Sequence, residues 1–96
     1  MAYNLIVRDD ALKDVFASYD WYEKKQIGLG KRFYTEVQKI LGYIKQYPHH
    51  YQVKFKNIRE GVLKIFPYVI IYEILDNDII VYSVFPTKDN PDKKPK

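Results

Sequence analysis

Cysteine is absent from this chain, and that single absence removes disulfide staples, thiolate nucleophiles and cysteine-ligated zinc together. Histidine is nearly absent as well. Only His49 and His50 are present, side by side, and adjacent residues seldom point at one ion, so they read as a solvated loop rather than metal ligands. Nothing elsewhere in the chain supports either as a general base. Long apolar runs are also missing: no stretch approaches the ~20 residues needed to span a bilayer, and Met1 to Asp10 has no basic region leading into an apolar run. The expectation is a cytoplasmic protein with no membrane segment, no metal and no cofactor.

What is present suffices for one core. Ninety-six residues, 47% hydrophobic and 17% aromatic, support a single domain without staples. Sixteen Lys and Arg against twelve Asp and Glu leave a net charge of +4, a modest bias toward anionic partners.

The periodicity divides the chain in two. Tyr3 to Arg8 alternates as a short strand, and Asp9 or Asp10 is placed to cap a following helix. In that helix Leu12, Val15, Phe16, Tyr19 and Tyr22 recur every three to four residues and predict the buried face. Gly28 and Gly30 break the pattern near Gln26, after which Phe33, Val37, Ile40, Leu41 and Ile44 mark a second helix that Pro48 stops at about Tyr47. So short a loop makes an antiparallel helix hairpin.

Beyond His50 the period becomes two. Tyr51, Val53 and Phe55 alternate with Gln52, Lys54 and Lys56, predicting one apolar and one basic face, and Ile58 to Ile65 continues extended. Tyr68 to Leu75 reads as a central strand covered on both faces, Asp76-Asn77-Asp78 as a hairpin turn and Ile79 to Phe85 as its partner. The expectation is an α+β fold: a first strand, an antiparallel helix hairpin, then a three- to four-stranded, mainly antiparallel sheet, as one domain over 1–85. Residues 86–96, rich in proline and lysine, are expected to form a basic tail.

Several strings, in this order, resemble the RelE/ParE superfamily of bacterial type II toxins. They are Tyr19-Asp20-Trp21-Tyr22-Glu23, Gly28-Leu29-Gly30-Lys31-Arg32-Phe33, Tyr47-Pro48, Ile58-Arg59, Phe66-Pro67-Tyr68-Val69-Ile70-Ile71-Tyr72, and Val84-Phe85 followed by Thr87-Lys88-Asp89-Asn90-Pro91. The resemblance implies a growth-inhibiting toxin neutralised by a cognate antitoxin in a hetero-oligomer. It also implies one of two targets. ParE-like members act on DNA gyrase, whereas RelE-like members enter the ribosome and cut mRNA with lysines, arginines and, in some, a tyrosine.

Metal-free RNA cleavage needs a group to activate the 2′-hydroxyl, positive charge on the phosphate and a proton for the leaving oxygen. Arg59, Lys64 and Lys88 are the candidate target-binding residues, and the catalytic ones if the chain is a nuclease. Lys54 and Lys56 read instead as the solvated face of a strand. The departures from the nuclease pattern favour the ParE-like reading: Val69 stands where those enzymes carry an arginine, Pro86 where many relatives carry a histidine, and no tyrosine follows Lys88. Each lost charge-assisted contact typically costs about 2.7–4 kcal/mol at a transition state.

Gyrase inhibition is therefore the first expectation, a ribosome-dependent mRNA endonuclease the alternative, and a non-toxic binding module of the same fold the third. Asp20 and Glu23 read as a solvated helix face beside Lys24 and Lys25. Most tyrosines fall on predicted buried stripes, whereas Trp21 and Tyr34 lie off them and are the candidate antitoxin contacts.

Overall fold

The computed structural model describes residues 3–87. The chain runs β1 (Asn4–Val7), α1 (Asp9–Lys25), α2 (Leu29–Gln46), β2 (Val53–Phe55), β3 (Ile58–Val62), β4 (Tyr68–Leu75) and β5 (Asp78–Pro86). The strands form one sheet in the order β1-β5-β4-β3-β2, antiparallel throughout except for β1, which lies parallel to β5. The helix hairpin covers one face, as the periodicity predicts.

β4 is central and buries Tyr68 to Tyr72 without interruption. Tyr68, Ile70 and Tyr72 join Phe33, Val37 and Ile44 of α2 and Ile79, Val81 and Val84 of β5 in the core. At one end of that core the rings of Tyr22, Phe33, Phe66 and Tyr68 meet with centroids 4.8–6.2 Å apart. Such tilted and edge-on contacts suit the ring quadrupoles.

The glycines of the helix turn have two distinct roles. Gly28 has φ 89°, a left-handed backbone that side chains disfavour. A Cβ on Gly30 would sit 2.5 Å from the Tyr19 carbonyl oxygen, so only glycine allows the helices this close. Glu23 completes the turn by accepting the Gly28 and Gly30 amides at 2.8 and 3.0 Å, which satisfies donors that the start of α2 would otherwise leave open. Glu23 is thus a structural cap rather than a solvated charge. Asp20 does pair with Lys24, at 3.0 Å on the surface.

Three further expectations are corrected. Asp9 and Asp10 do not cap α1; they lie inside its first turn, and Arg8 is the cap residue without a side-chain bond. The reason is that β1 hands over directly to the helix, with the Arg8 amide still donating to Val81 of β5 at 3.0 Å. The two carboxylates act on the positive end of the helix dipole instead.

The buried face of α1 is also rotated. It consists of Ala11 and Val15, with Ser18 and Tyr22 half-buried, whereas Leu12, Phe16 and Tyr19 are 41%, 61% and 36% exposed. The helical period holds, and Val15 and Tyr22 keep their inward side, but the face is shifted toward Ala11 and Ser18 and away from Leu12, Phe16 and Tyr19. Small side chains win the inner face because α1 lies tight against its neighbours. Asp14, on that side, accepts the Ser83 hydroxyl at 2.9 Å and the Val84 amide at 3.0 Å, next to the irregularity where Tyr82 is an extra residue on β5.

The third correction concerns β2. Val53 and Phe55 do not form an apolar buried face; both are exposed, as is every residue of this three-residue edge strand. Its register against β3 is irregular, and Lys56 turns out of it with φ 51°.

Candidate functional site

Of the predicted basic residues, Arg59 and Lys64 stand at opposite ends of β3. Arg59, the second residue of β3, is half-buried, and its guanidinium donates to the carbonyls of Tyr51 at 2.5 Å and His49 at 3.4 Å. It thereby ties the loop after α2 to the sheet. Tyr72, its ladder neighbour on β4, donates its hydroxyl to the Pro48 carbonyl at 2.7 Å and secures the same loop from below. Burial pushes the Tyr72 hydroxyl up to about 12, although the nearby Arg59 charge pulls the other way.

Lys64 lies beyond the other end of β3, up to roughly 17 Å of extended chain away, with an exposed side chain. Lys54 and Lys56 are exposed, and the Lys56 ammonium sits 5.5 Å from the Phe55 ring centre. Lys88 lies outside the described residues.

The two departures on the central strands have definite surroundings. Val69 is 3% exposed and pairs with Val62 on one side and Phe85 on the other, so an apolar patch fills this point of the sheet. Pro86 is paired with Tyr68 as the last residue of β5, and the Thr87 amide donates to Pro67 at 2.8 Å. The tyrosines with displaced titration all move away from neutrality: Tyr51 and Tyr72 chiefly through burial, and Tyr82 chiefly through its hydrogen bond to Glu73. None of the three is poised as a base near neutral pH.

Sequence reasoning missed Glu36. It is 7% exposed in the middle of α2, and its carboxylate accepts three consecutive amides, Lys64 and Ile65 at 2.9 and 2.8 Å and Phe66 at 3.0 Å. This one side chain shapes the bend between β3 and β4 and fixes where Lys64 and Ile65 stand. The signal was there: Glu36 lies three residues from Phe33 and four from Ile40, on the buried stripe itself.

Two surfaces remain as places for a partner. The outer side of the hairpin carries Leu12, Phe16 and Tyr19 of α1, and the Tyr19 ring meets Tyr34 of α2 edge-on at 6.4 Å. Trp21, 55% exposed, packs instead with Tyr22 and under the Lys25 ammonium, 4.8 Å from its ring centre. The structure thus places Tyr34 on this apolar stripe, with no ring contact linking it to Trp21. The second surface is a groove of about 900 Å³ along α2, whose far wall includes Lys64 and Ile65.

Solved structures share this architecture. The chain is similar to a protein of the chromosomal ParDE toxin-antitoxin system from P. aeruginosa, at 16% identity with TM-score 0.70, covering 91% of this chain and 98% of that one. It is also similar to a mutant of the E. coli toxin RelE in the free state, at 19% identity with TM-score 0.60, covering 92% and 86% respectively. No curated protein matches it by sequence. Two helices followed by this mixed sheet define the α+β fold of the RelE/ParE toxins. Within that class the chain belongs to the ParE toxin family of type II toxin-antitoxin systems (parDE), whose pattern matches residues 5–91.

Proposed function

We propose that this protein inhibits growth by binding DNA gyrase and is silenced by a cognate antitoxin in a cytoplasmic hetero-oligomer. The observation that carries the choice of target is the environment of Val69. Where RNA-cutting relatives place a charge, this chain has a valine closed in by Val62 and Phe85, and Arg59 spends its guanidinium on the Tyr51 and His49 carbonyls. A transition-state phosphate needs preorganised positive charge. The separation of Arg59 from Lys64 speaks against such a cluster.

In this reading Arg59, Lys64 and Lys88 belong to the surface that meets the target, with Arg59 acting mainly by holding the 47–51 loop in place. Trp21 and Tyr34 meet the antitoxin. The test is to express the chain without antitoxin, then assay the purified protein for inhibition of gyrase supercoiling and for codon-positioned cuts on programmed ribosomes. Inhibited supercoiling with intact mRNA is expected. Cut mRNA with unaffected supercoiling would overturn the proposal in favour of the endonuclease, and no growth defect at all would leave a non-toxic binding module.

A further inference from the structure

α1 keeps a stripe of large apolar side chains facing outward. Leu12, Phe16 and Tyr19 are 41%, 61% and 36% exposed, and at about 100° per residue they fall within about 60° of one another around the helix. On one flank of that stripe, again within about 60°, stand Asp9, Lys13, Asp20 and Lys24, all exposed. Their order along the helix is acid, base, acid, base. Asp20 and Lys24 meet at 3.0 Å across one turn, whereas among the described residues Asp9 and Lys13 form no ion pair.

We infer that the occupant of this face is a second copy of the chain, its α1 lying antiparallel to the first about a twofold axis at the level between Phe16 and Ala17. The charges select that register. Reversed end to end, the row becomes base, acid, base, acid, so every charge meets its opposite on the other copy. Asp9 faces Lys24 and Lys13 faces Asp20, and both pairs share the same midpoint. The apolar side chains agree with it: the two Phe16 rings stand about one residue apart along the axis, and Leu12 of each copy about two residues from Tyr19 of the other, so they interleave.

The midpoint also falls at the centre of the 17-residue helix, so the two copies overlap along its whole length, about 25 Å. The acidic first turn, Asp9 and Asp10, then lies beside the basic last turn of the other copy, Lys24 and Lys25, with the helix dipoles opposed. A parallel pair would instead set each charge against its own like. The row is neutral overall, so it draws neither a polyanion nor a polycation, and its own reverse is the complement it fits. Tyr34 of α2 meets Tyr19 at the edge of the stripe, at 6.4 Å, so an antitoxin that reaches Tyr34 would have to displace the second copy. Pairing of the free chain does not depend on the toxin reading.

The test is sedimentation velocity on the full chain from about 1 µM to about 1 mM, the range of weak contacts. A monomer–dimer equilibrium that salt weakens is expected. Phe16→Ser should weaken it roughly tenfold by removing the central ring. Lys13→Glu/Lys24→Glu makes the row wholly acidic and Asp9→Lys/Asp20→Lys makes it wholly basic, so neither variant should pair with itself. Mixed in equal amounts, the two should pair with each other. Melting at the lowest concentration, where the chain is a monomer, should be unchanged in Phe16→Ser, because that side chain is exposed.

A chain that stays monomeric up to about 1 mM, or that associates past the dimer, would overturn the inference. So would a dimer undiminished by Phe16→Ser or by the charge variants, and so would an acidic and a basic variant that fail to pair when mixed. If charge reversal disturbs folding, Lys13→Gln/Lys24→Gln gives the same reading with a smaller loss, and a dimer as tight as the parent's in that variant would count equally against pairing through α1.

Discussion

α1 and α2 are nearly equal in length, 17 and 18 residues, yet they treat their apolar side chains in opposite ways. α2 buries Phe33, Val37, Ile40, Leu41 and Ile44, whereas α1 buries only Ala11 and Val15 and turns Leu12, Phe16 and Tyr19 outward. One helix is held by bulk, the other by close approach and by two carboxylates, Asp14 onto β5 and Glu23 onto the start of α2. Of its large rings only Tyr22 packs into the core, and a helix anchored mainly through small residues and polar bonds leaves Leu12, Phe16 and Tyr19 facing outward. In this molecule α2 makes the fold and α1 makes a surface.

The largest expected effect would break that contrast if it failed. Phe33→Ala removes a fully buried ring and should cost about 3–5 kcal/mol of unfolding free energy in urea. Phe16→Ala, on the exposed stripe, should stay within about 0.5 kcal/mol. Equal losses would mean that α1 carries as much of the core as α2.

The next effect sharpens the part played by buried carboxylates. Glu36→Ala leaves three amides without their acceptor in the bend after β3, and a loss of roughly 3 kcal/mol is expected. Protease cleavage between Leu63 and Pro67 should rise in parallel. Glu36→Gln keeps one acceptor oxygen and should fall between the two. A bend that stays equally resistant in Glu36→Ala would show that Leu63 and Phe66, both buried, hold it without the carboxylate.

These contrasts mark what the sequence could disclose. Strand and helix order were legible because periods of 3.6 and 2 are properties of local spacing: α2's stripe and the run from Tyr68 to Leu75 could be read directly. Phase was not legible on α1. Val15 and Tyr22 repeat at helical spacing with two sets of neighbours, Ala11 and Ser18 on one side or Leu12, Phe16 and Tyr19 on the other. Hydrophobicity favours the second set, because Ala11 is small and Ser18 polar, whereas the fold turned the smaller side chains inward for proximity. Glu36 and Asp14 were invisible for another reason. Their partners lie roughly 30 and 70 positions along the chain, and a carboxylate aimed at backbone amides leaves no mark on the sequence around those amides. Arg59 shows the same limit: its residue type suggested a target, while its geometry shows a brace for the 47–51 loop.

A smaller effect follows from the other brace on that loop. Tyr72→Phe removes the bond to Pro48 and should cost about 1–1.5 kcal/mol near neutral pH. The pH dependence carries a sign. The folded-state value of Tyr72 is raised from 10.0 to about 12, so its contribution is fully present below pH 10 and lost as pH rises through about 12. Tyr72→Phe should therefore flatten the alkaline decline in stability over that window. Tyr51 and Tyr82, also raised, will keep part of it. An unchanged alkaline profile would mean that the hydroxyl is not confined as its bond to Pro48 indicates.

The smallest effect on stability tests the surface half of the contrast. Leu12→Ser with Phe16→Ser replaces two side chains that are 41% and 61% exposed, and the pair should shift unfolding by no more than about 0.5 kcal/mol each. Binding responds to a different quantity, because apolar area already wet in the free protein is removed from water only when a partner arrives. The same double variant should bind the antitoxin more weakly, and Tyr34→Ala should add to the loss, because its ring already meets Tyr19 on that stripe. Trp21→Ala distinguishes one continuous interface from two: a loss that simply adds to that of Tyr34→Ala assigns Trp21 to a separate contact, whereas a shared, non-additive loss joins them. Undiminished antitoxin affinity in all of these variants would show that the outward rings of α1 are not the surface the antitoxin covers.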